Sequence, residues 1–368
     1  TASAGQAMTV AAASLAVTVD SSSPSYSIAA AGTTGVTAGV VKFRASNEAI
    51  TLQKLGLTLT ATTGSGNSEA DLVQVSIWDG SMQVGTAVFT GSNTTATSTL
   101  TTAVTMPKDA DKTLTIKVDL ADVGTSQSGT QGDLIKVDPL NAEGVGLDSG
   151  TTIKTGATAG VAGVRLMNSY PTVALSSLSS GVADGRLMRF SVTADSAGSV
   201  GLYNFTFTLA TTSATVTDVG LYAYTDSSFS QAISGQGTAG QIDVNLATTT
   251  PYVAATCLTT AGSTCVAGAS LITLNYLPAS SQVTIPANTT RYFELRGSVT
   301  GSATTFSVVT KMLSDTAFAT GTATGITAKN FIWNPNATTE TAFGGADWTT
   351  GYGVPGLPSS GLIQTRSN

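Results

Sequence analysis

Between Leu114 and Val118 apolar and polar side chains alternate without a break, and the pattern returns around Phe293 and Leu295. A period of two marks an extended strand with one buried face. The match is wider than the strand itself. Residues 104–120 recur at 283–299 with no gap: a short apolar stretch ends in Pro107 or Pro286, a polar turn follows, and Lys112 or Arg291 opens the alternating strand. One supersecondary unit has been built twice.

Two more segments extend the repeat. Residues 40–45 (VVKFRA) resemble 187–192 (LMRFSV), setting Phe43 against Phe190, and 72–78 (LVQVSIW) resemble 216–222 (VTDVGLY). Phe43 to Lys112 is roughly 70 residues and Phe190 to Arg291 about 100, so the second copy carries an insertion of about 30, at about 225–282. In the first copy, strands are predicted near 40–45, 50–60, 72–78, 84–90, 98–106, 113–120 and 134–138. Strands about ten residues apart, joined by Gly- and Asp-rich turns, predict sandwiches of immunoglobulin type. The chain is therefore expected to be all-β, with two tandem immunoglobulin-like β-sandwich domains at 20–168 and 169–332, joined at Ser169-Tyr170-Pro171. An N-terminal strand within 1–19 and an irregular aromatic segment at 333–368 fall outside this repeat.

Composition agrees. Thr and Val suit a pleated surface, the 39 Gly supply turns, and no long stretch has helical periodicity. With 41% hydrophobic residues, 10% charged and a net charge of −6, the chain is too apolar to be disordered. Its 16 basic residues are scattered among 22 acidic ones, which offers no cationic track to a nucleic-acid backbone. No apolar run approaches the ~20 residues that span a bilayer. A chain opening on Thr1 is expected to have lost an upstream signal peptide. Cys257 and Cys265, in a Gly/Ser/Thr loop, are expected to form a disulfide contributing roughly 2–3 kcal/mol, two free thiols being the other reading. Both features point outside the cell.

Candidate chemistry is sparse. There is no histidine, which removes the commonest general base and zinc ligand. The five Glu (Glu48, Glu69, Glu143, Glu294, Glu340) sit singly, so no acid pair of glycosidase type is expected. No enzymatic activity is predicted. Asp109 and Asp111 in the repeated turn, with Asp119 and Asp122 beyond it, are candidate Ca2+ ligands or else an ordinary polar turn; the second copy has Asn288 and Thr290 where the first has Asp109 and Asp111. Asn93, Asn204, Asn288 and Asn336 open N-x-[ST] glycan acceptors, Asn204 inside a strand. Leu357-Pro-Ser-Ser-Gly361 is similar to a loosened sortase signal but lacks the hydrophobic segment such a signal needs, and reads as a Pro/Gly loop.

Residues 40–51, residues 104–120, Ser169-Tyr-Pro-Thr-Val-Ala174 and Gly351-Tyr-Gly-Val-Pro-Gly-Leu-Pro358 resemble secreted surface-layer-like proteins of candidate-phyla-radiation (Patescibacteria-type) bacteria. The resemblance implies a tandem Ig-like, Thr-rich protein exposed on the cell surface, and brings no catalytic, calcium or anchoring residue with it. The expected role is a structural subunit of a self-assembled surface array or filament. Its assembly residues would be a donor strand with Met8, Val10, Leu15, Val17 and Val19, and an aromatic second contact with Trp333, Trp348 and Tyr352, unless both segments fold back on their own domains. The alternative is an adhesin or glycan-binding module using Trp348 and Tyr352 as a platform for cell-surface sugars.

Overall fold

A computed structural model describes residues 11–60, 69–157, 160–179, 181–234, 238–242, 253–255, 269–275, 282–321, 329–336 and 347–368. Among these the chain is all-β, with no helix long and apolar enough to cross a membrane. It divides into two units, Thr1–Leu166 and Met167–Asn368.

In unit 1 the strands are β1 (Ser14–Val19), β2 (Ser27–Ala30), β3 (Val36–Ser46), β4 (Ile50–Leu59), β5 (Leu72–Asp79), β6 (Met82–Ala87), β7 (Thr95–Met106), β8 (Asp111–Leu120), β9 (Leu134–Ile135), β10 (Val137–Gly146), β11 (Thr152–Gly156) and β12 (Val164–Met167). They form a sheet in the order β1-β3-β8-β5-β6, a second in the order β11-β10-β4-β7, and a short third, β2-β12-β9. Alternate residues of the first two sheets, among them Val41, Phe43, Leu114, Ile116, Leu55 and Leu57, enclose one core.

Unit 2 contains β13 (Pro171–Leu175), β14 (Arg186–Ala194), β15 (Val200–Thr212), β16 (Ala214–Tyr224), β17 (Val253–Ala255), β18 (Ala269–Asn275), β19 (Val283–Ile285), β20 (Thr290–Gly301), β21 (Ser307–Met312), β22 (Phe331–Asn334), β23 (Thr349–Thr350) and β24 (Leu362–Ser367). One sheet runs β13-β14-β20-β16, and the other β17-β18-β15-β21-β24, with β19 and β22 also on β15 and β23 on β22.

Register shows how far the duplication extends. Val41 faces Leu114 and Ile77 faces Ile116 in unit 1; Phe190 faces Phe293 and Leu221 faces Leu295 in unit 2. Both copies carry a bulge near the start of the equivalent strand, at Val73 between Leu72 and Gln74 in unit 1 and one step further along in unit 2, between Thr217 and Gly220, where Asp218 has φ 52°. The structural partner of Phe190 is thus Val41, and that of Phe43 is Val192, which corrects the Phe43–Phe190 match. A slip of two keeps each side chain on its own face, so alternation alone does not detect it.

The repeat also takes in β1 and β22. Leu15 and Val17 of β1 pair with Ala45 and Phe43; Pro171 and Val173 of β13 pair with Ala194 and Val192. β1 is therefore the first strand of its own sandwich, with Leu15 and Val17 buried. At the other end, Leu57 opposite Pro139 and Leu52 opposite Gly144 become Phe207 opposite Met312 and Leu202 opposite Trp333. Strand β10 has been cut in two, into β21 and β22, by the excursion 313–330. The hairpin continues in step, since Gly144 pairs with Ile153 and Trp333 with Thr349. Strands β22, β23 and β24 thus join the sheet of unit 2, where the sequence predicts a boundary at 332 and a separate segment at 333–368.

One lattice is packed in two ways. Val41, Leu114, Leu55, Leu57 and Ala142 of unit 1 become Phe190, Phe293, Phe205, Phe207, with Phe331 facing Phe205 as Ala142 faces Leu55. The rings stack and tilt against one another, Phe190 on Phe293 at 5.1 Å and Phe205 on Phe331 at 5.3 Å between centroids.

Candidate functional site

On the solvent side of the repeated sheet, each unit places a cation over a ring at equivalent positions. Lys117 of β8 lies over Trp78 of β5, its Nζ 4.3 Å from the ring centre, and Arg296 of β20 lies over Tyr222 of β16 at 4.7 Å. Strand alternation sends these side chains outward while Ile116, Ile77, Leu295 and Leu221 fill the core. The Trp78 indole N–H donates to Ser76 Oγ at 2.8 Å, which fixes the ring for the ammonium.

Unit 2 elaborates this face. Glu294, fully buried, accepts from Arg189 and from Arg296 and has the Arg186 Nε at 3.7 Å. Burial of a lone carboxylate costs several kcal/mol, which is why guanidinium groups converge on this one. The Arg296 Nη2 also donates to the Tyr224 hydroxyl at 2.5 Å. The Arg189 guanidinium lies 3.9 Å over Phe229, which meets Tyr224 and Tyr292 edge-on at 5.6 and 5.9 Å. Burial pushes the Tyr224 phenol above its ordinary range, so it stays protonated at neutral pH. Three guanidinium groups around Glu294, with Asp184 3.7 Å from Arg186, leave a ring-lined face on which cations outnumber carboxylates. Such a face attracts anions.

Glu294, a single acid in the sequence, is fully buried in the fold. Its burial depends on cross-strand neighbours, Arg189 lying directly opposite on β14. The one local signal is Glu294-x-Arg296, two residues apart and so on one face.

The repeated turn has a different logic from calcium binding. Asp109 and Asn288 occupy one position with φ 55° and 53°, the left-handed region that Asp and Asn tolerate better than most residues. Asp109 accepts the Asn47 N–H at 3.3 Å, and Asp111 pairs with Arg44 at 2.9 Å and Lys42 at 3.8 Å. Asp119 accepts from Gly35 N–H at 2.6 Å and Gln74 Nε2 at 2.8 Å, and the Asp122 carbonyl accepts from Gly129 N–H at 3.0 Å. Among the described residues no three His, Cys, Asp or Glu side chains gather to hold a metal, so these four aspartates do not fit the proposed Ca2+ site.

The remaining predicted positions divide by burial. Trp333 and Trp348 are fully buried within unit 2: the Trp333 indole donates to the Thr350 carbonyl at 2.9 Å, and Trp348 packs edge-on against Tyr203 at 5.6 Å. Trp348 is therefore no exposed sugar platform beside Tyr352, and both indoles lie in the interior of unit 2. Val19 is half-buried on β1. Asn93 and Asn288 are exposed in turns, whereas the Asn336 amide donates to Ser199 at 3.0 Å and accepts from Gln282 at 2.8 Å. Asn204 is buried and donates to the Lys329 carbonyl at 2.9 Å. Met8, Val10, Cys257 and Cys265 lie outside the described residues.

No family model and no curated protein matches the chain. Among solved structures, similarity extends to a chain from a structure of manganese lipoxygenase of Gaeumannomyces graminis and zonadhesin of Komagataella pastoris, at 10% identity and TM-score 0.19 over 96% of this chain and 98% of that one. It extends also to the C-terminal domain of the Streptococcus agalactiae AgI/II polypeptide BspA (9% identity, TM-score 0.20, 82% and 95% covered). A third is the collagen-binding domain of the Erysipelothrix rhusiopathiae surface protein RspB (11% identity, TM-score 0.15, 74% and 79% covered). At TM-scores this low, none of these proteins lends its activity or partners to this chain.

Proposed function

We propose that the chain is a non-enzymatic structural subunit of an extracellular cell-surface polymer, an S-layer-like array or filament. The observation that carries this reading is the duplication, which takes in β1 and β22 as well as the paired sheets and repeats the outward cation–ring pair. A chain that presents the same face twice suits repetitive contact more than chemistry at one centre. Its buried carboxylates are engaged in holding the fold: Glu294 holds guanidinium groups, Asp71 the Thr130 N–H, Asp138 the Val161 N–H, and Asp315 the amides of Asn330, Phe331 and Gly351. The resemblance to surface-layer-like proteins points the same way. Sedimentation of the purified full chain over rising concentration, with and without calcium, tests the reading: growing assemblies support it, and a monomer throughout refutes it.

An adhesin for acidic glycans is the second reading, favoured by the Arg186–Arg189–Arg296 face. Polygalacturonate titrated at low salt tests it. Saturable binding lost with Arg186→Ala supports it, and no binding removes it.

A further inference from the structure

Among the described residues, unit 2 has no counterpart of β2. In unit 1, β12 lies between β9 and β2, with the Ser27 N–H donating to the Gly163 carbonyl at 3.4 Å. β24 holds the corresponding place: Val164 pairs with Ile135 at the start of the β9–β10 run, and Arg366 with Val308 at the same level of β21. Thr365 therefore stands where Gly163 stands. Between β13 and β14, where unit 1 has β2, unit 2 has instead a 3-10 turn, Val182–Asp184, tied to the last strand by Arg366 Nη2 donating to the Gly181 carbonyl at 2.9 Å. Among the described residues β24 pairs with β21 alone.

The phase of the open edge is fixed. Asn368 N–H donates to the Phe306 carbonyl at 3.0 Å, so the amides of Leu362, Gln364 and Arg366 face β21 while those of Ile363, Thr365 and Ser367 face outward. Gln364 and Arg366 turn their side chains into the unit; Ile363 is 52% exposed, and Thr365 and Ser367 are exposed. No outward charge, proline or bulge guards Ile363 and Thr365 in the usual way, while Gly181 lies near the Ser367 carbonyl at the end of the strand.

We propose that β24 accepts a strand from a second copy of this chain, and that the donor is residues 1–10. This rests on the polymer reading and names its contact. The first described strand begins only at Ser14, and its counterpart β13 accounts for β1, so residues 1–10 have no partner in the duplication. They carry no charge and consist largely of small residues, as β2 does (Ser-Ile-Ala-Ala), and Met8 and Val10 fall on one face of an extended chain. Donor and acceptor lie at different places on the chain, so the contact is heterologous and repeats from copy to copy.

Two variants of the full chain isolate its halves. Thr365→Pro removes an outward N–H while leaving the ladder to β21 intact, and deletion of residues 1–10 leaves β1 whole. Each alone is expected to sediment as a monomer with an unchanged circular dichroism spectrum, and an equimolar mixture to form a 1:1 complex that grows no further. Ile363→Lys, at a side chain already half in water, replaces Thr365→Pro if the proline lowers the melting temperature. Wild-type assembly that persists in Thr365→Pro and Ile363→Lys overturns the β24 edge while leaving the polymer reading standing. Dimers formed by the deletion variant alone overturn the donor. A wild-type chain that never assembles removes both.

Discussion

Replacing Trp333 by Ala should destabilise unit 2 as a whole. The indole is fully buried on β22, whose backbone pairs with β15 on one side and β23 on the other, and its N–H meets the Thr350 carbonyl at 2.9 Å. Truncation of a buried Trp to Ala costs about 3–5 kcal/mol. Orphaning the buried Thr350 carbonyl adds ~1 kcal/mol or more. A domain near 200 residues loses about 2–4 °C per kcal/mol, so the transition of unit 2 should fall by roughly 10–20 °C. Differential scanning calorimetry of the full chain resolves this, with Trp78→Phe, at an outward ring of unit 1, as the control that leaves unit 2 unmoved. A small, separate, early transition, with the main one unchanged, would mean that residues 331–368 are an appendage after all. Trp333→Phe, which keeps most of the volume but not the N–H, should fall between the two.

Asp109→Asn should leave the urea midpoint unchanged with or without calcium, whereas Asp109→Ala and Asn288→Ala should each cost ~1–2 kcal/mol through the left-handed backbone; a calcium-dependent loss in Asp109→Asn would restore a ligand role. Glu294→Gln should destabilise unit 2 by about 1–3 kcal/mol by weakening the charge-assisted hydrogen bonds from Arg189 and Arg296, read from the same urea curves, and a neutral result would contradict the packing assigned to that face. Acid should weaken the fold. Hydrogen bonds from Ser149, Lys154 and Ser22 hold Glu48, Glu143 and Asp20 below their ordinary range, and those from Ser228, Gln231 and Ser230 hold Asp226 far below it. Folded-state values below the unfolded ones mean that the stabilisation is full above about pH 5 and is lost as pH falls through and below ~4, so melting temperatures should drop from pH 5 to pH 2. A flat profile there would show that these contacts add nothing.

The all-β class and the tandem repeat were legible because period two and turn composition are local properties. Leu114, Ile116 and Phe293 announce their faces without reference to anything distant. Register is not local, so Phe43 was matched to Phe190 when its true counterpart is Val192, two residues along the same face. The same blindness set β1 and residues 331–368 outside the repeat. Pro171–Leu175 shares no obvious sequence with Ser14–Val19, and an excursion between Met312 and Phe331 splits one strand in two. Asp109 and Asn288 looked like a lost function because side-chain chemistry differs between them; what the two copies share is a backbone angle that no alignment displays. The cationic face around Glu294 stayed hidden for a related reason, since Arg189 lies across a strand pair and far away in the chain.

The self-assembly contact is tested most directly by amide exchange along β24, compared between dilute chain and assembled material. Ile363, Thr365 and Ser367 should exchange freely in the dilute chain and become protected on assembly, while Gln364 and Arg366, already bonded to β21, should change little. Outward amides that exchange equally fast in both states would mean that no strand is added there.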